Sequence, residues 1–481
     1  MTAGLYGADV AQLREFARLA ATAASEARSA ASVVATQVQS SPWRGPDAQQ
    51  FRAEWSSQHG PRLHAIGGAL DEVARVIRGN ADAQETTSTD DAGATGGPGA
   101  GFPASTASTT PAAPAAGTPD PPANGSPDDV TAWWNGLTDA QRAALIEQQP
   151  ELVGALDGVP GAARDEANRI LLQQEIERVE AMPGLPDRNA AAERARLLDA
   201  LNAIDKALDD KPGTQLLLLD TQSGDQVHAA LAVGDVDTAE NVAVFTQGMN
   251  SGTEVENGVS NSVNDAARLQ QASDAQLRQD GEAGSTAVVV WMGYDAPGIG
   301  QVANPIYGAN GAPDLAQFAE GLRSVNGDAH LTALGHSYGS YVTGSALRLT
   351  DAFDDAVVFG SPGVTTGDVD NLEIGSGTLY VIEADGDAVA DFGYFGPDPN
   401  HITGATNLSS DAEGSHLASS GHSEYLIDKS TSLYNIGAVV SGNADRAIEG
   451  DNSGLGDILR GSLGLSVDLP TSIIGKVLGV E

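Results

Sequence analysis

Short apolar runs alternate with longer helical stretches from residue 213 onward, and this alternation limits the possible folds more than any other feature. Strands that alternate with helices predict an α/β fold, in which helices cover both faces of a mostly parallel sheet. Only a short polar turn near Ser223-Gly224 separates the first two runs, which predicts an antiparallel hairpin at one edge. The predicted strands are 215–219, 227–233, 242–246, 287–291, 331–334, 356–359, 379–382 and 402–408, and the predicted helices include 260–279, 315–325 and 338–349.

The motif G-x-S-x-G occurs as Gly335-His336-Ser337-Tyr338-Gly339, between the predicted strand 331–334 and a predicted helix. In a chain with 57 glycines the pattern alone could arise by chance, but its position in a strand-turn-helix unit is informative. The strained turn raises the serine above the sheet, and the helix N-terminus offers free N–H groups to a developing oxyanion. Ser337 is therefore the predicted nucleophile.

An acidic residue is expected at the end of a later strand, because the order of such a triad is Ser, Asp or Glu, and then His. The predicted strand 379–382 ends in a loop rich in carboxylates. We predict that Asp387 is the acid of the triad, with Asp385 and Asp391 as the alternatives.

A histidine is needed as the base, because a serine hydroxyl is a poor nucleophile until its proton is removed. His422 lies between the last predicted strand and the last predicted helix, where the base belongs. His416 is the alternative, whereas His401 precedes that strand.

Two backbone N–H groups are expected to stabilise the oxyanion. One belongs to Tyr338, the residue after the nucleophile, and the other to Met249, in the loop after the third predicted strand. Gly248 allows the backbone of that loop to approach closely and is also predicted to contact substrate. The predicted reaction is acyl transfer through a covalent acyl-enzyme, and it requires no metal and no cofactor.

These residues resemble the α/β-hydrolase superfamily, and more closely an actinobacterial branch of serine hydrolases. The resemblance covers about residues 213–445 and rests on the segments 290–297, 335–339, 387–389 and 421–423. It implies an α/β-hydrolase fold for 213–481 and a serine hydrolase, but it does not establish the substrate. Our leading hypothesis is a lipase-like carboxylesterase that acts on a small-molecule or lipid ester. Tyr294 falls in a matching segment and is predicted to contact substrate. The stretch 298–313 follows on the same edge, either as part of the pocket or as a plain surface loop.

The first 85 residues predict a helical hairpin, because amphipathic stretches at 8–40 and 46–79 flank Ser41-Pro42-Trp43-Arg44-Gly45-Pro46. Trp43-Arg44-Gly45 and the two helices resemble the WXG-type family of small hairpin proteins associated with type VII secretion. The resemblance implies a small helical WXG-type partner protein and export without a cleaved signal. An ordinary helical hairpin in a cytoplasmic protein is the alternative.

Two further segments separate this hairpin from the α/β domain. Residues 86–128 consist mostly of small residues and proline and hold few apolar side chains, which predicts a flexible linker. Residues 129–212 carry apolar residues at helical spacing. Either Asp128-Asp129 or Ser126 is predicted to cap the first helix, and Thr138 is predicted to cap the next. The stretch after Gly450 mixes leucine, isoleucine and glycine, and it is predicted either to dock as a helix or to cover a groove.

Composition excludes several classes of protein. The 65 acidic and 25 basic residues give a net charge of −40, which repels nucleic acid. No cysteine is present, which excludes disulfides, thiolate nucleophiles and cysteine zinc sites. No apolar run approaches the roughly 18–20 residues that span a bilayer, so we expect no transmembrane segment. The first residues do not show the pattern of a cleaved secretory signal.

Two other functions fit the same sequence. The hairpin and the long linker favour a type VII-secreted effector or toxin-type lipase or esterase. A hydrolase fold retained only as a non-catalytic interaction protein is the other alternative. It would be favoured by a broken triad, whereas all three predicted members are present.

Overall fold

A sheet of eight strands forms the centre of the part of the chain that the structure describes. The computed structural model describes residues 119–122, 125–182, 188–249, 251–255, 257–279, 281, 284–298, 301–302, 304–374, 377–387, 389–390 and 395–450, together with Ala35, Arg44 and Arg52. Several predictions fall outside these residues: the WXG-like hairpin with Trp43, most of the linker, Asp391 and the stretch after Gly450.

The strand order is β1-β2-β4-β3-β5-β6-β7-β8. Strand β2 runs antiparallel to β1 and β4, and every other pair of neighbours is parallel. The strands are β1 Thr214–Asp220, β2 His228–Val233, β3 Asn241–Thr246, β4 Thr286–Met292, β5 His330–His336, β6 Asp355–Phe359, β7 Leu379–Ile382 and β8 Thr406–Leu408. The predicted α/β fold and its edge hairpin are therefore confirmed.

Helices cover both faces of this sheet. They are α1 Pro127–Gly136, α2 Asp139–Gln148, α3 Pro150–Ala155, α4 Gly161–Glu180, α5 Arg188–Asp210, α6 Gly258–Gln279, α7 Ile306–Val325, α8 Tyr338–Ala346 and α9 Thr431–Val440. On β3, Val244 packs into the core formed with α7 and α8, whereas Phe245 packs into the core formed with α6 and α9. Neighbouring residues of a strand thus serve opposite faces. Among the described helices, none has both the length and the apolar character needed to cross a bilayer.

The helical segment that precedes the sheet packs directly against it. Ser126, rather than Asp128-Asp129, caps α1, and Thr138 caps α2 as predicted; both act through their side chains. In α4, the buried Asn168 donates a hydrogen bond of 3.0 Å to the carbonyl oxygen of Leu216 in β1. The described residues between 119 and 450 belong to one compact unit.

Two elements differ from the sequence-based expectation. Helix α7 begins at Ile306, within the stretch 298–313 that was predicted either to form part of the pocket or to be a plain surface loop. The hydroxyl of Tyr338 accepts a hydrogen bond of 3.0 Å from the N–H of Gly308 in its first turn. That contact satisfies a donor of the first helical turn through tertiary structure. Strand β8 is shorter than predicted, because Thr403 pairs with Asp368 instead of β7.

Candidate active site

Ser337 occupies the tight turn between β5 and α8, at the carboxyl end of the sheet. Its φ of 56° and ψ of −132° are unusual for a residue with a side chain. Its backbone N–H donates a hydrogen bond of 3.2 Å to the carbonyl oxygen of Phe359 at the end of β6. The neighbouring strand thus holds the strained turn in place.

His422 approaches this serine from the loop before α9. Its Nε2 atom lies 2.8 Å from the Oγ atom of Ser337. The N–H of Gly421 donates a hydrogen bond of 2.9 Å to the carbonyl oxygen of Asp385, which joins the His422 loop to the segment after β7. Backbone pairing therefore brings the imidazole alongside the acidic loop.

Asp387 completes the contact on the far side of the imidazole. The Nδ1 atom of His422 lies 2.9 Å from Oδ1 and 3.0 Å from Oδ2 of this fully buried carboxylate. The N–H groups of Val389 and Ala390 also donate hydrogen bonds to Oδ1, at 3.0 and 3.3 Å. Burial opposes ionisation, but the hydrogen bonds from His422, Tyr425 and Val389 outweigh it and hold the pKa of Asp387 below its usual range.

The alternative candidates lie elsewhere or face solvent. The ring of His416 packs against Tyr434, with centroids 4.5 Å apart. His401 ends a short 3₁₀ helix, Pro399–His401, and is exposed. The side chain of Asp385 is also exposed. Among the described candidates, the structure brings Ser337, His422 and Asp387 together.

The loop after β3 lies directly against the serine turn. A Cβ atom on Gly248 would lie 2.7 Å from the Cβ of Ser337 and 2.9 Å from the backbone nitrogen of Tyr338, so only glycine fits. Met249 follows in the same loop. Tyr338 is the first residue of α8, and its N–H therefore has no acceptor within the helix. Both predicted oxyanion donors thus belong to segments that border Ser337.

Tyr294, which was predicted to contact substrate, is hydrogen-bonded to this loop from the protein interior. Its side chain is buried, with only 4% of the residue exposed, and its ring stacks between Trp291 and Tyr338. Its hydroxyl donates a hydrogen bond of 2.9 Å to the carbonyl oxygen of Gln247. The side chain is thereby committed to the protein interior.

Tyr425 contacts the acidic residue and was not identified from the sequence. Its hydroxyl donates a hydrogen bond of 2.6 Å to Oδ2 of Asp387 and accepts one of 2.9 Å from the N–H of Ala384. Burial and the negative charge of Asp387 raise the pKa of Tyr425, so the hydroxyl keeps its proton. A tyrosine three residues after His422 is the sequence signal that could have suggested this contact.

Two further residues complete the surroundings of the imidazole. The Nε2 atom of His336 donates a hydrogen bond of 2.9 Å to the carbonyl oxygen of His422. Gly360 has a φ of 56°, and a Cβ atom there would lie 2.9 Å from Oδ2 of Asp387 and 3.2 Å from Nδ1 of His422. No local pattern marks either residue, since each acts through a contact that forms only in the folded chain.

This arrangement can move a proton from the hydroxyl of Ser337 to Nε2 of His422, while the carboxylate of Asp387 stabilises the resulting imidazolium. The positive end of α8 lies at the serine and favours negative charge that develops there. In the described part of the chain, no group of three or more side chains is arranged to hold a metal ion.

The chain is similar in sequence to several known proteins. The model of the alpha/beta hydrolase family matches residues 222–397. An uncharacterized protein of Mycobacterium tuberculosis is 39% identical over 222 residues, which make up 44% of this chain and 82% of that protein. A second uncharacterized protein of Mycobacterium tuberculosis is 30% identical over 296 residues, which make up 55% of this chain and 44% of that protein.

Solved structures with similarity to this chain include two bacterial proteins. A member of the a/b serine hydrolases from Xanthomonas campestris has a TM-score of 0.29 at 15% identity, covering 49% of this chain and 95% of its own. The esterase domain of a Rhodothermus marinus protein has a TM-score of 0.29 at 14% identity, covering 49% of this chain and 98% of its own.

Proposed function

The chain belongs to the alpha/beta hydrolase family, and from that membership we propose that it is a serine hydrolase that cleaves carboxylic esters. One observation carries the proposal: Oγ of Ser337 lies 2.8 Å from Nε2 of His422, whose Nδ1 lies 2.9 Å from the buried Asp387. A hydroxyl, an imidazole and a carboxylate in continuous hydrogen-bond contact form an activated nucleophile.

The first half of the proposed reaction forms an acyl-enzyme. His422 accepts the proton of Ser337 as Oγ attacks the ester carbonyl carbon, and the N–H groups of Tyr338 and Met249 stabilise the oxyanion of the tetrahedral intermediate. The intermediate collapses when the bond to the alcohol oxygen breaks. The imidazolium of His422 donates its proton to that leaving oxygen, and Asp387 remains ionised throughout.

The second half releases the acid. His422 removes a proton from water as the water oxygen attacks the acyl carbon, and the same N–H groups stabilise the second oxyanion. The bond to Oγ then breaks, and His422 returns the proton to Ser337. Water supplies the hydroxyl group of the new carboxylic acid and the proton that returns to Ser337, so the cycle consumes one ester and one water.

The charge of the chain bears on which ester is attracted. A net charge of −40 favours the approach of a neutral or cationic ester over an anionic one. We therefore expect hydrolysis of uncharged acyl esters, and a panel of p-nitrophenyl esters of increasing chain length would separate carboxylesterase from lipase-like preference. The full chain is the appropriate protein for this measurement.

A fluorophosphonate probe tests the proposal, because it reacts covalently with an activated serine. We expect the wild-type chain to be labelled and Ser337→Ala to remain unlabelled. Ser423→Ala is the matched control, since Ser423 is an exposed serine beside His422 and its removal should leave labelling unchanged.

Two outcomes would contradict the proposal. A folded wild-type chain that neither reacts with the probe nor cleaves any ester of the panel would favour an interaction protein on a hydrolase fold. Labelling that persists in Ser337→Ala would show that another residue is the nucleophile.

A further inference from the structure

Three side chains hold the loop that follows β3. The hydroxyl of Tyr294 donates a hydrogen bond of 2.9 Å to the carbonyl oxygen of Gln247. The hydroxyl of Ser251 donates one to the carbonyl oxygen of Gly248, and that of Ser262, in α6, donates one of 2.6 Å to Oε1 of Gln247. Both peptide groups that flank Gly248 are therefore fixed through their carbonyl oxygens.

Fixing a carbonyl group also fixes the N–H of the next residue, because the peptide group is planar and trans. Tyr294 thus sets the direction of the N–H of Gly248, and Ser251 sets that of Met249. This restraint matters because glycine has little conformational preference of its own. Without external contacts, a loop built around Gly248 would not hold a donor within the few tenths of an ångström that catalysis needs.

The same tyrosine is tied to the other donor. The ring of Tyr294 stacks on the ring of Tyr338, with centroids 6.5 Å apart and planes within 7° of parallel. Tyr338 carries the second N–H of the proposed oxyanion site. Its hydroxyl is anchored as well, since it donates a hydrogen bond of 2.6 Å to the carbonyl oxygen of Asn304.

We propose that Tyr294 is a positioning residue, which with Ser251 aligns the oxyanion-binding N–H groups on either side of Ser337. The inference rests on the proposed serine hydrolase function and deepens it. The hydroxyl of Tyr294 contacts the carbonyl oxygen of Gln247 rather than the reacting atoms. It acts by fixing the loop of Met249 relative to the turn of Tyr338.

The alternative is that Tyr294 only fills the core. Tyr294→Phe separates the two roles, because it keeps the stacked ring and removes only the hydroxyl that holds Gln247. Burial raises the pKa of Tyr294, so the hydroxyl is a donor throughout the working pH range.

The test compares Tyr294→Phe, Ser251→Ala and Tyr380→Phe with the wild-type chain. Tyr380 lies on β7 and is the control for loss of a partly buried tyrosine hydroxyl outside the site. Ester hydrolysis gives kcat and KM, and a trifluoromethyl ketone gives an inhibition constant, since its adduct with serine carries an oxyanion. Thermal unfolding confirms that each variant is folded.

Loss of a whole oxyanion donor costs about 10²–10³ in kcat, so a misaligned donor should cost about tenfold. We expect this loss in Tyr294→Phe and in Ser251→Ala, with KM unchanged and the inhibition constant raised by the same factor. The pH dependence of kcat/KM should not move, because the contact between His422 and Asp387 is intact. Tyr380→Phe should match the wild type.

Unchanged kcat in the folded variants would overturn the inference. So would a loss of kcat without a parallel loss of inhibitor affinity, or an equal loss in Tyr380→Phe. If Tyr294→Phe fails to fold, Ser251→Ala decides the question, because Ser251 is only partly buried in its loop. These results differ from failure of the proposed function, in which the wild-type chain itself would show neither hydrolysis nor labelling.

Discussion

The side chain of His336 is bonded to the backbone of His422, through a hydrogen bond of 2.9 Å from Nε2 to the carbonyl oxygen. The two imidazole rings also lie against each other, with centroids 4.9 Å apart. Burial, together with the neighbouring ring of His422, lowers the pKa of His336 to about 4. His336 is therefore neutral near pH 7, and no second positive charge opposes protonation of His422.

This buried histidine should make the fold sensitive to acid. The unfolded chain binds a proton at His336 near pH 6.5, whereas the folded chain does so only near pH 4. Above pH 6.5 the side chain is neutral in both states, so it does not lower the free energy of unfolding. As the pH falls from 6.5 toward 4, the free energy of unfolding decreases by about 1.4 kcal/mol per pH unit. His336→Gln should remove this part of the pH dependence, as measured by urea unfolding between pH 7 and 4.5.

His401→Gln is the control for that measurement, because His401 is exposed. Its curve of unfolding free energy against pH should run parallel to that of the wild type. If the free energy of unfolding of His336→Gln falls with pH as steeply as that of the wild type, other groups cause the acid sensitivity.

Tyr425→Phe should destabilise the protein more at neutral pH than in acid. The hydroxyl donates to the ionised Asp387, and a hydrogen bond to a charged group is worth about 1.5–3 kcal/mol. Because the pKa of Asp387 is lowered in the folded state, this stabilisation is present above the ordinary pKa and is lost as the pH falls through the lowered one. Urea unfolding of both proteins, followed from pH 7 downward until the folded state is lost, checks this. A difference in unfolding free energy that stays constant over the whole range would contradict it.

Gly248→Ala should abolish most of the activity without unfolding the chain. The new Cβ would lie 2.9 Å from the backbone nitrogen of Tyr338 and would obstruct the space proposed for the oxyanion. Loss of one oxyanion donor lowers kcat by about 10²–10³, and we expect a loss of that size. Gly136→Ala is the control, since a Cβ there meets nothing within 4 Å. Full activity in folded Gly248→Ala would place the oxyanion site elsewhere.

Replacement of the two histidines considered as the base should affect kcat/KM differently. His422→Ala removes the contact with Ser337, and by comparison with other triads it should lower kcat/KM by about 10³-fold or more. His416→Ala removes only a ring contact with Tyr434 and should leave the rate unchanged. Steady-state ester hydrolysis measures both. A large loss in His416→Ala alone would reverse the assignment.

The sequence predicts those parts of the molecule that depend on short segments. Apolar runs indicate the strands because a parallel sheet buries both faces of a strand such as β3. Ser337 is identifiable because its motif, turn and helix are contiguous. Asp387 and His422 can be chosen from chain order and strand position, although their side chains meet only in the folded protein.

Residues that act through distant contacts are not predictable in this way. The segment of Tyr294 suggested a contact with substrate, whereas in the folded chain its ring is buried between Trp291 and Tyr338. Gly360 is required by the approach of Asp387 and His422, and the start of α7 is fixed by the hydroxyl of Tyr338. In each case a tertiary contact outweighs the local preference.

The strained backbone conformation of Ser337 should lower the thermal stability of the protein. A residue with a side chain in such a conformation costs roughly 1–3 kcal/mol, which neighbouring interactions must offset. Glycine adopts it with little strain, so Ser337→Gly should melt at a higher temperature than the wild type while it cleaves nothing. The active wild-type protein would then have the lower thermal stability, and the inactive variant would have the higher one.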